Sequence, residues 1–257
     1  EYGVTSVNSL GGDGPAGIAL RDEQTDSGLD RARLYVAGAV VTGATSDEAL
    51  AMVQDNADMG VDWMKIRVDD NLGSSRKMSP DVFAAVIERS HDLGLRLASH
   101  LFYQDDAKAL LRAGSDFIAH SIRDEDVDDE LLGLLRETGV CYSPTLTREV
   151  STFVYEDRPD FFDDPFFLAH ADPAVLDRLQ EPDRQARVRS SSSAQQYKEA
   201  LRVALRNVKR IADEGLPVAF GTDTGPAGRF QGYFEHMEMT LMAEAGLTPE
   251  QILRSAT

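Results

Sequence analysis

The stretch that most constrains the fold is residues 94–120, GLRLASHLFYQDDAKALLRAGSDFIAH, in which two short apolar runs flank an amphipathic segment. The first run ends in His100 and the second in His120. Two parallel strands joined by a helix form a right-handed βαβ unit, so their carboxyl ends meet at one edge of a sheet. The spacing therefore predicts two imidazoles side by side, at the edge where α/β folds place their chemistry.

Two further apolar runs also end in polar side chains. The run VDWMKI carries Lys65 near its end, and LPVAFGTD delivers Asp223. A single histidine after a strand is often only a hydrogen-bonded loop residue, and a lysine inside a strand is costly to bury unless it is paired or modified. Four such side chains, each at the end of a predicted strand, indicate a site that binds metal.

The composition excludes several classes of partner. The 257-residue chain has a formal net charge of −18, which disfavours nucleic acid and anionic membranes because both attract basic surfaces. It has no apolar run of about 18 residues or more, so the sequence predicts a soluble protein without a membrane span. Cys141 is the only cysteine, which excludes an intrachain disulfide.

Strand-like and helix-like segments alternate along most of the chain. Thr45 and Glu48 have capping-box spacing, and Ser79 precedes a proline at a predicted first helical position. This alternation predicts a parallel sheet covered by helices. Seven strand-like runs begin at Gly3, Arg33, Val61, Leu95, Asp116, Gly139 and Leu216.

The regular alternation stops at residues 148–193, which we call the insert. It contains many aromatic, acidic and proline residues, including five phenylalanines within residues 153–167. A long segment after the carboxyl end of a strand usually covers a site, so the insert is interpreted as a lid or a pocket wall. Packing of the insert on the outer helices is nearly as good an interpretation. His91, His170 and His236 are interpreted as structural or surface histidines.

The ordered set Lys65, His100, His120 and Asp223 resembles the amidohydrolase superfamily of metal-dependent hydrolases. The segments GVTSV, GVDWMKI and PVAFGTDTG support this resemblance, and the final EAGLTPEQILRSAT is similar to the imidazolonepropionase-like and prolidase-like branch. The resemblance extends over essentially the whole chain.

The resemblance implies a TIM (β/α)8 barrel as a single domain over residues 1–257. It also implies a His-x-His motif on the first strand, and this sequence contains none. The chain is therefore expected to be an amino-terminally truncated, incomplete barrel that holds strands two to eight and lacks the first strand and the small flanking β domain. Such a barrel has unpaired strand edges, which favour aggregation. A homo-oligomer is a further possibility.

The resemblance implies that His100 and His120 hold a divalent cation, and that Lys65 bridges two ions as a carbamate. Zinc suits imidazole and carboxylate ligands, while manganese, iron and nickel remain alternatives. Lys65 could instead be an unmodified, salt-bridged lysine beside a mononuclear site.

Asp223 would also ligate metal and act as general base, with Thr222 and Thr224 setting its orientation by hydrogen bonds. Tyr103 and Arg123 follow the two histidines by three residues each and would bind a carboxylate or carbonyl of the substrate. Either could equally be a surface loop residue.

The predicted function is hydrolysis of a C–N bond in an amide, a cyclic amide or a dipeptide-like small molecule. The same site could cleave an ester, a lactone or a phosphoester, because a metal and a base serve all of these reactions. The alternative from another class is a non-catalytic barrel fragment or a binding module. The compartment, cytoplasmic or exported, stays open.

Overall fold

Two parallel sheets organise the part of the chain that the computed structural model describes, residues 2–25 and 28–257. The first sheet pairs β1 with β2, and the second has the order β3-β4-β5-β6. Neighbouring strands are joined by helices from β2 onward, so the predicted alternation is confirmed. The strands are β1 Ser6–Ser9, β2 Arg33–Val36, β3 Trp63–Arg67, β4 Arg96–His100, β5 Phe117–Ala119 and β6 Cys141–Ser143.

The helices begin and end at the residues that capping chemistry favours. Thr45 accepts a hydrogen bond from the amide of Glu48 at the start of α2, and Gly114 ends α4 in the left-handed conformation. No helix among the described residues has the length and apolar character needed to cross a membrane. The α-helices are α1 Pro15–Asp22, α2 Ser46–Asp58, α3 Pro80–Asp92, α4 Gln104–Ala113, α5 Asp129–Thr138, α6 Leu146–Val150, α7 Pro165–Leu168, α8 Pro173–Leu179, α9 Pro182–Ser190, α10 Ser192–Asp213, α11 Tyr233–Glu244 and α12 Pro249–Ser255.

The chain divides into two compact units. The strand unit comprises the described residues of 3–120 and 127–142, and the helical unit comprises residue 2, residues 121–126 and residues 143–257. In the strand unit, β3 buries Met64, Lys65 and Ile66 in succession. Three consecutive buried positions are typical of a parallel sheet that is covered on both faces.

The helical unit has two groups of buried side chains. The long helix α10 buries Tyr197, Ala204 and Val208 along one face. Within the insert, an aromatic cluster of Tyr155, Phe162, Phe167 and Leu179 packs against Phe230 and Tyr233. Phe162 and Phe167 of the insert are buried, whereas Phe166 is 44% exposed.

The second strand is shorter than the predicted run of residues 33–41. The chain turns at Gly38, where φ is +71° and a side chain would come within 2.6 Å of Asn56 Oδ1. The Asn56 amide then holds the turn, because it accepts from the amide of Ala39 at 3.0 Å and donates to its carbonyl at 2.8 Å. Beyond this turn, Val41 makes a single bridge to Ile66 of β3.

The strand predicted at residues 216–221 is wrong. Only Val218 has a bridge partner, and it forms no ladder. The amide of Phe220 donates instead to the carbonyl of Ser255, at the end of α12. Gly221 approaches Ser143 so closely that a Cβ atom would lie 2.5 Å from its Oγ. The apolar run before Asp223 is therefore held by irregular contacts and not by a strand ladder.

Candidate active site

The two strand-end histidines lie side by side in the strand unit. His100 is the last residue of β4 and pairs with Ala119 of β5, and His120 follows β5 directly. Their ring centroids are 4.5 Å apart, with the ring planes at 75°. Both rings are largely shielded from solvent, since His120 is buried and the His100 side chain is 14% exposed. The register of two parallel strands thus produces an imidazole pair.

Sequence reasoning missed Asp69, a carboxylate that contacts this pair. Asp69 Oδ2 lies 3.1 Å from His100 Nε2, and Asp69 Oδ1 accepts from Arg67 Nε at 3.0 Å. Burial alone would raise the pKa of this carboxyl group, but the hydrogen bonds from His100 and Arg67 outweigh it and hold the pKa well below its ordinary range. The available signal was the pair of aspartates, Asp69 and Asp70, just after β3.

Lys65 lies on β3, the strand next to the one that ends in His100. In the ladder it pairs with Ala98 of β4, and it is only 3% exposed. An ammonium group at this depth loses most of its hydration, which makes the position unusual for an ordinary lysine.

Tyr103 lies between β4 and α4, at the residue that immediately precedes α4. Its hydroxyl donates to Asp70 Oδ1 at 2.8 Å, and Lys77 Nζ lies 3.8 Å from the centroid of its ring. Burial, reinforced by the hydrogen bond to Asp70, raises the pKa of the Tyr103 phenol to about 12. Tyr103 therefore keeps its proton near neutral pH and can donate a hydrogen bond.

Asp223 lies in the helical unit, in a left-handed conformation with φ of +56°. Arg229 Nη1 donates to both its Oδ2 and its main-chain oxygen. Thr222 and Thr224 were expected to orient Asp223 by hydrogen bonds, but their hydroxyl groups do not bond to the aspartate. Both hydroxyls instead donate to Glu235 Oε1 on α11, at 2.8 and 3.1 Å. The threonines thus fix the backbone around Asp223.

Arg123 is in the helical unit and its side chain is fully buried. Its Nε lies 3.1 Å from Glu149 Oε1, and Arg148 Nη1 lies 3.0 Å from Glu149 Oε2. Burial opposes the charge of Arg148, yet Glu149 and Tyr197 hold the pKa of this guanidinium above its ordinary value. The substrate-binding role of Arg123 stays a prediction, and this position gives it a buried carboxylate partner.

Glu238 of α11 is a second carboxylate that sequence reasoning missed. It accepts hydrogen bonds from the amides of Leu146 and Thr147, each at 2.7 Å, and from the Thr147 hydroxyl at 2.8 Å. Desolvation raises the pKa of Glu238 to about 7, against the effect of these three donors. No local pattern marks this residue, because its partners are 91 and 92 positions away in the chain.

A cleft of about 230 Å³ lies in the helical unit. It is lined by insert residues such as Phe167 and Val175 and by the loop 225–231 that follows Asp223. Arg229, the partner of Asp223, lines it as well. The insert and the Asp223 loop thus share a cavity.

The predicted site residues fall into two sets. Lys65, His100, His120 and Tyr103 belong to the strand unit, while Arg123 and Asp223 belong to the helical unit. Among the side chains of residues 2–25 and 28–257, no three from His, Cys, Asp and Glu are grouped closely enough to hold a metal ion. Ligand and catalytic roles for these six residues stay predictions.

Comparison with solved structures shows an α/β amidohydrolase fold related to TIM-barrel enzymes. A crystal structure of a Xaa-Pro dipeptidase with bound methionine in its active site matches with a TM-score of 0.73 at 20% identity, covering 100% of this chain and 63% of that one. The ochratoxinase of A. niger matches with a TM-score of 0.69 at 17% identity, covering 100% of this chain and 59% of that one. This chain is thus shorter than the solved proteins it matches.

Sequence comparison gives the family. Uncharacterized proteins of Mycobacterium tuberculosis and Mycobacterium bovis are 31% identical to this chain over 122 residues, which is 46% of this chain and 32% of their own length. The model of the Amidohydrolase family matches residues 2–257, which is nearly the whole chain. Because this match covers more than half of the chain, the chain belongs to the Amidohydrolase family.

Proposed function

We propose that this protein is a metal-dependent hydrolase that cleaves the C–N bond of an amide, a cyclic amide or a dipeptide-like substrate. The observation that carries the proposal is the imidazole pair of His100 and His120 at the ends of adjacent parallel strands, with Asp69 behind His100. Family membership supports the same reaction class, since these enzymes generally hydrolyse amide-type bonds with a divalent metal.

The proposed architecture is a (β/α)8 barrel. The consecutive parallel order β3-β4-β5-β6 and the shared fold over 100% of the chain support it. We propose the insert as the pocket wall of this domain, because Phe167 and Val175 line a cleft together with the loop that follows Asp223.

The paired imidazoles of His100 and His120 are the type of donor that divalent cations such as zinc bind. Histidine ligands commonly use one ring nitrogen for the metal and give the other to a carboxylate, and the contact between His100 and Asp69 is of this kind. We propose that His100, His120 and Asp223 would hold the ion, that Lys65 would contribute as a carbamate, and that the ion would be zinc. A bound ion of this kind polarises the scissile carbonyl and makes water more acidic.

In this proposal, residues of the chain itself transfer the proton and bind the substrate. Asp223 takes a proton from the attacking water while the oxygen of that water bonds to the carbonyl carbon. The C–N bond breaks, and Asp223 gives the same proton to the departing nitrogen. Tyr103 and Arg123 would bind the substrate, and the phenol of Tyr103 would exchange its hydrogen bond to Asp70 for one to a carboxylate or carbonyl of the substrate.

Metal content and a substrate panel test this proposal together. The protein is dialysed against zinc and analysed for metal per chain. It is then assayed with Xaa-Pro and other dipeptides, cyclic amides, esters, lactones and phosphoesters. We expect bound zinc and preferential hydrolysis of amides, with both reduced at least tenfold by His120→Ala.

His91→Ala is the matched control, because His91 is exposed on α3 and bonds to Asp116 at 2.9 Å, away from the imidazole pair. Equal loss of zinc in both variants would contradict the ligand assignment. Preferential turnover of esters or lactones would replace the amide assignment. A protein that neither binds zinc nor turns over any panel member would be a non-catalytic barrel.

A further inference from the structure

Two threonines flank Asp223, and both donate their hydroxyl groups to the same oxygen of Glu235. We call this arrangement of Thr222, Thr224 and Glu235 the Glu235 clamp. A carboxylate oxygen has two lone pairs, so a single oxygen can accept both hydrogen bonds. The two hydroxyl oxygens are also within 3.2 Å of each other. The residues before and after Asp223 are thereby tied to one point on α11.

That point is itself fixed in the fold. The second carboxylate oxygen of Glu235 accepts from the amide of Gly232, which immediately precedes α11, so Glu235 also caps the start of this helix. The helix is anchored by Phe234 and Met242, both fully buried. Glu235 therefore joins the Asp223 segment to a rigid helix start and not to a mobile surface residue.

The same segment is held a second time from the main chain. The Thr147 hydroxyl lies 3.2 Å from the carbonyl oxygen of Thr222, and Thr147 also bonds to Glu238 at the next turn of α11. The side chain of Thr222 thus bonds to Glu235. Its carbonyl oxygen bonds to Thr147, which in turn bonds to Glu238. Both carboxylates come from one face of α11.

Such contacts matter because Asp223 has no strand to position it. Its backbone is in the left-handed region, which is less favourable for residues other than glycine, and residues 216–221 form no ladder. Its own carboxylate bonds to Arg229, and Arg229 belongs to a loop. The flanking threonines are the link between this aspartate and regular secondary structure.

We propose that Glu235 is a positioning residue for Asp223, acting through the hydroxyl groups of Thr222 and Thr224. This inference rests on the proposed function, in which Asp223 is the general base. Glu235 touches neither substrate nor reacting atoms. It fixes where the carboxylate of Asp223 lies, and a misplacement of about 1 Å in an active site can cost roughly a hundredfold in rate.

The test compares steady-state kinetics of Glu235→Ala, Glu235→Gln and Thr224→Val on the best amide of the panel. Removing the carboxylate should lower kcat about 10- to 100-fold with KM changed less than about threefold, since substrate contacts are retained. Glutamine keeps an acceptor oxygen for both hydroxyls, so Glu235→Gln should recover kcat to within about fivefold. Thr224→Val, which loses one of two hydrogen bonds, should lie between them.

Amide hydrogen exchange of the protein without substrate provides a readout independent of activity. Glu235→Ala should accelerate exchange in residues 222–225 and leave α10 unchanged. Thr240→Val is the control, because Thr240 is exposed and its hydroxyl bonds to the His236 carbonyl within α11, at 3.1 Å. It should match the unsubstituted protein in both measurements.

The outcomes separate this inference from the proposed function. If Asp223→Asn keeps full activity, the proposed function is overturned and the inference with it. If Asp223→Asn is inactive but Glu235→Ala keeps its kcat, the inference alone is overturned. Uniform acceleration of exchange throughout the helical unit would also overturn it, because Glu235 would then support the fold in general.

Discussion

The imidazole pair and the Asp223 segment are positioned by different forces. His100 and His120 take their places from backbone hydrogen bonds, since β4 and β5 pair in register up to His100 and Ala119. Asp223 depends on side chains, because its neighbours bond to Glu235 and its carboxylate bonds to Arg229. A strand ladder tolerates most single side-chain changes, whereas a polar network can lose its geometry when one member is removed.

The same difference extends to the interiors of the two units. The strand unit buries apolar side chains of neighbouring strands, such as Ile66, Leu97 and Ile118. Both units also bury ionisable side chains, such as Asp69 in the strand unit and Arg123 and Glu149 in the helical unit. The paired side chains of Arg123 and Glu149 have no exposed surface, whereas the two partners of Asp69 are 14% and 40% exposed. Burial of a charge is costly unless it is paired, so a substitution in the fully buried pair should have the larger effect.

The largest expected effect is therefore at Glu149. Glu149→Gln removes the carboxylate that faces Arg123 at 3.1 Å and leaves a buried guanidinium without its counter-charge. Breaking one side of a buried ion pair costs about 3–5 kcal/mol. Native-state hydrogen exchange reports local free energies of opening. In the helical unit these free energies should fall by that amount, so exchange should become faster.

The matched control is Asp126→Asn, which breaks the pair of Asp126 with Arg206 in the same unit. Both of these side chains are more than half exposed. Exposed ion pairs contribute about 0–1 kcal/mol, so little change is expected. Similar losses for the two variants would remove the distinction between buried and exposed charge in this unit.

Leu97→Ala tests the apolar interior of the strand unit. Leu97 is the second residue of β4 and has no exposed surface, so its truncation leaves a cavity. We expect a loss of about 2–5 kcal/mol, measured by hydrogen exchange at the amides of β3 and β4. If exchange in the two units rises to the same extent, they unfold as one cooperative body and the comparison fails.

Glu238 gives the helical unit a pH dependence of stability. Its folded pKa is raised from an ordinary 4.5 to about 7 by burial, so between these values the folded state holds a proton that the unfolded state has lost. The stability contributed by the protonated form is fully present below about pH 4.5 and is lost as the pH rises to about 7. The difference amounts to about 3 kcal/mol.

Glu238→Gln should flatten this profile, since glutamine does not titrate. The measurement is hydrogen exchange of α6 and α11 at several pH values between 4.5 and 8, corrected for the intrinsic exchange rate. Glu149 is the charged neighbour that adds to the elevation of the Glu238 pKa, so it is left unchanged in both proteins. An identical slope in the two proteins would assign the pH dependence to another group.

The sequence predicted those features that local patterns encode. The alternation of apolar runs and helices was sufficient to place His100 beside His120, because parallel register follows from a βαβ unit. Capping residues such as Thr45 and Gly114 marked helix ends for the same local reason. The ordered set from Lys65 to Asp223 then led to the correct family.

The rest depended on contacts between residues far apart in the sequence. Glu238 meets Leu146 across 92 positions, and Asp69 meets His100 across 31, so neither pairing has a periodic signature. The error at residues 216–221 has the same origin, since an apolar run does not reveal that the amide of Phe220 bonds to Ser255. Sequence patterns identified Asp223 and missed the carboxylates that hold its surroundings.

The smallest predicted effect concerns a helix cap in the strand unit. Thr45→Ala removes the side-chain oxygen that accepts from the amide of Glu48 at 3.3 Å, at the start of α2. Loss of such a cap costs about 1 kcal/mol, and exchange should accelerate only in the first turn of the helix. Thr45→Ser retains the acceptor and should restore the original rates.

This small effect would sharpen the comparison, because α2 is joined to its surroundings mainly by buried apolar residues such as Ala49 and Val53. If the strand unit is held by packing and backbone hydrogen bonds, one exposed polar group should influence only its own turn. A loss at Thr45 that spreads into β3 would show that polar side chains also control this unit. The contrast with the Glu235 clamp would then be one of degree.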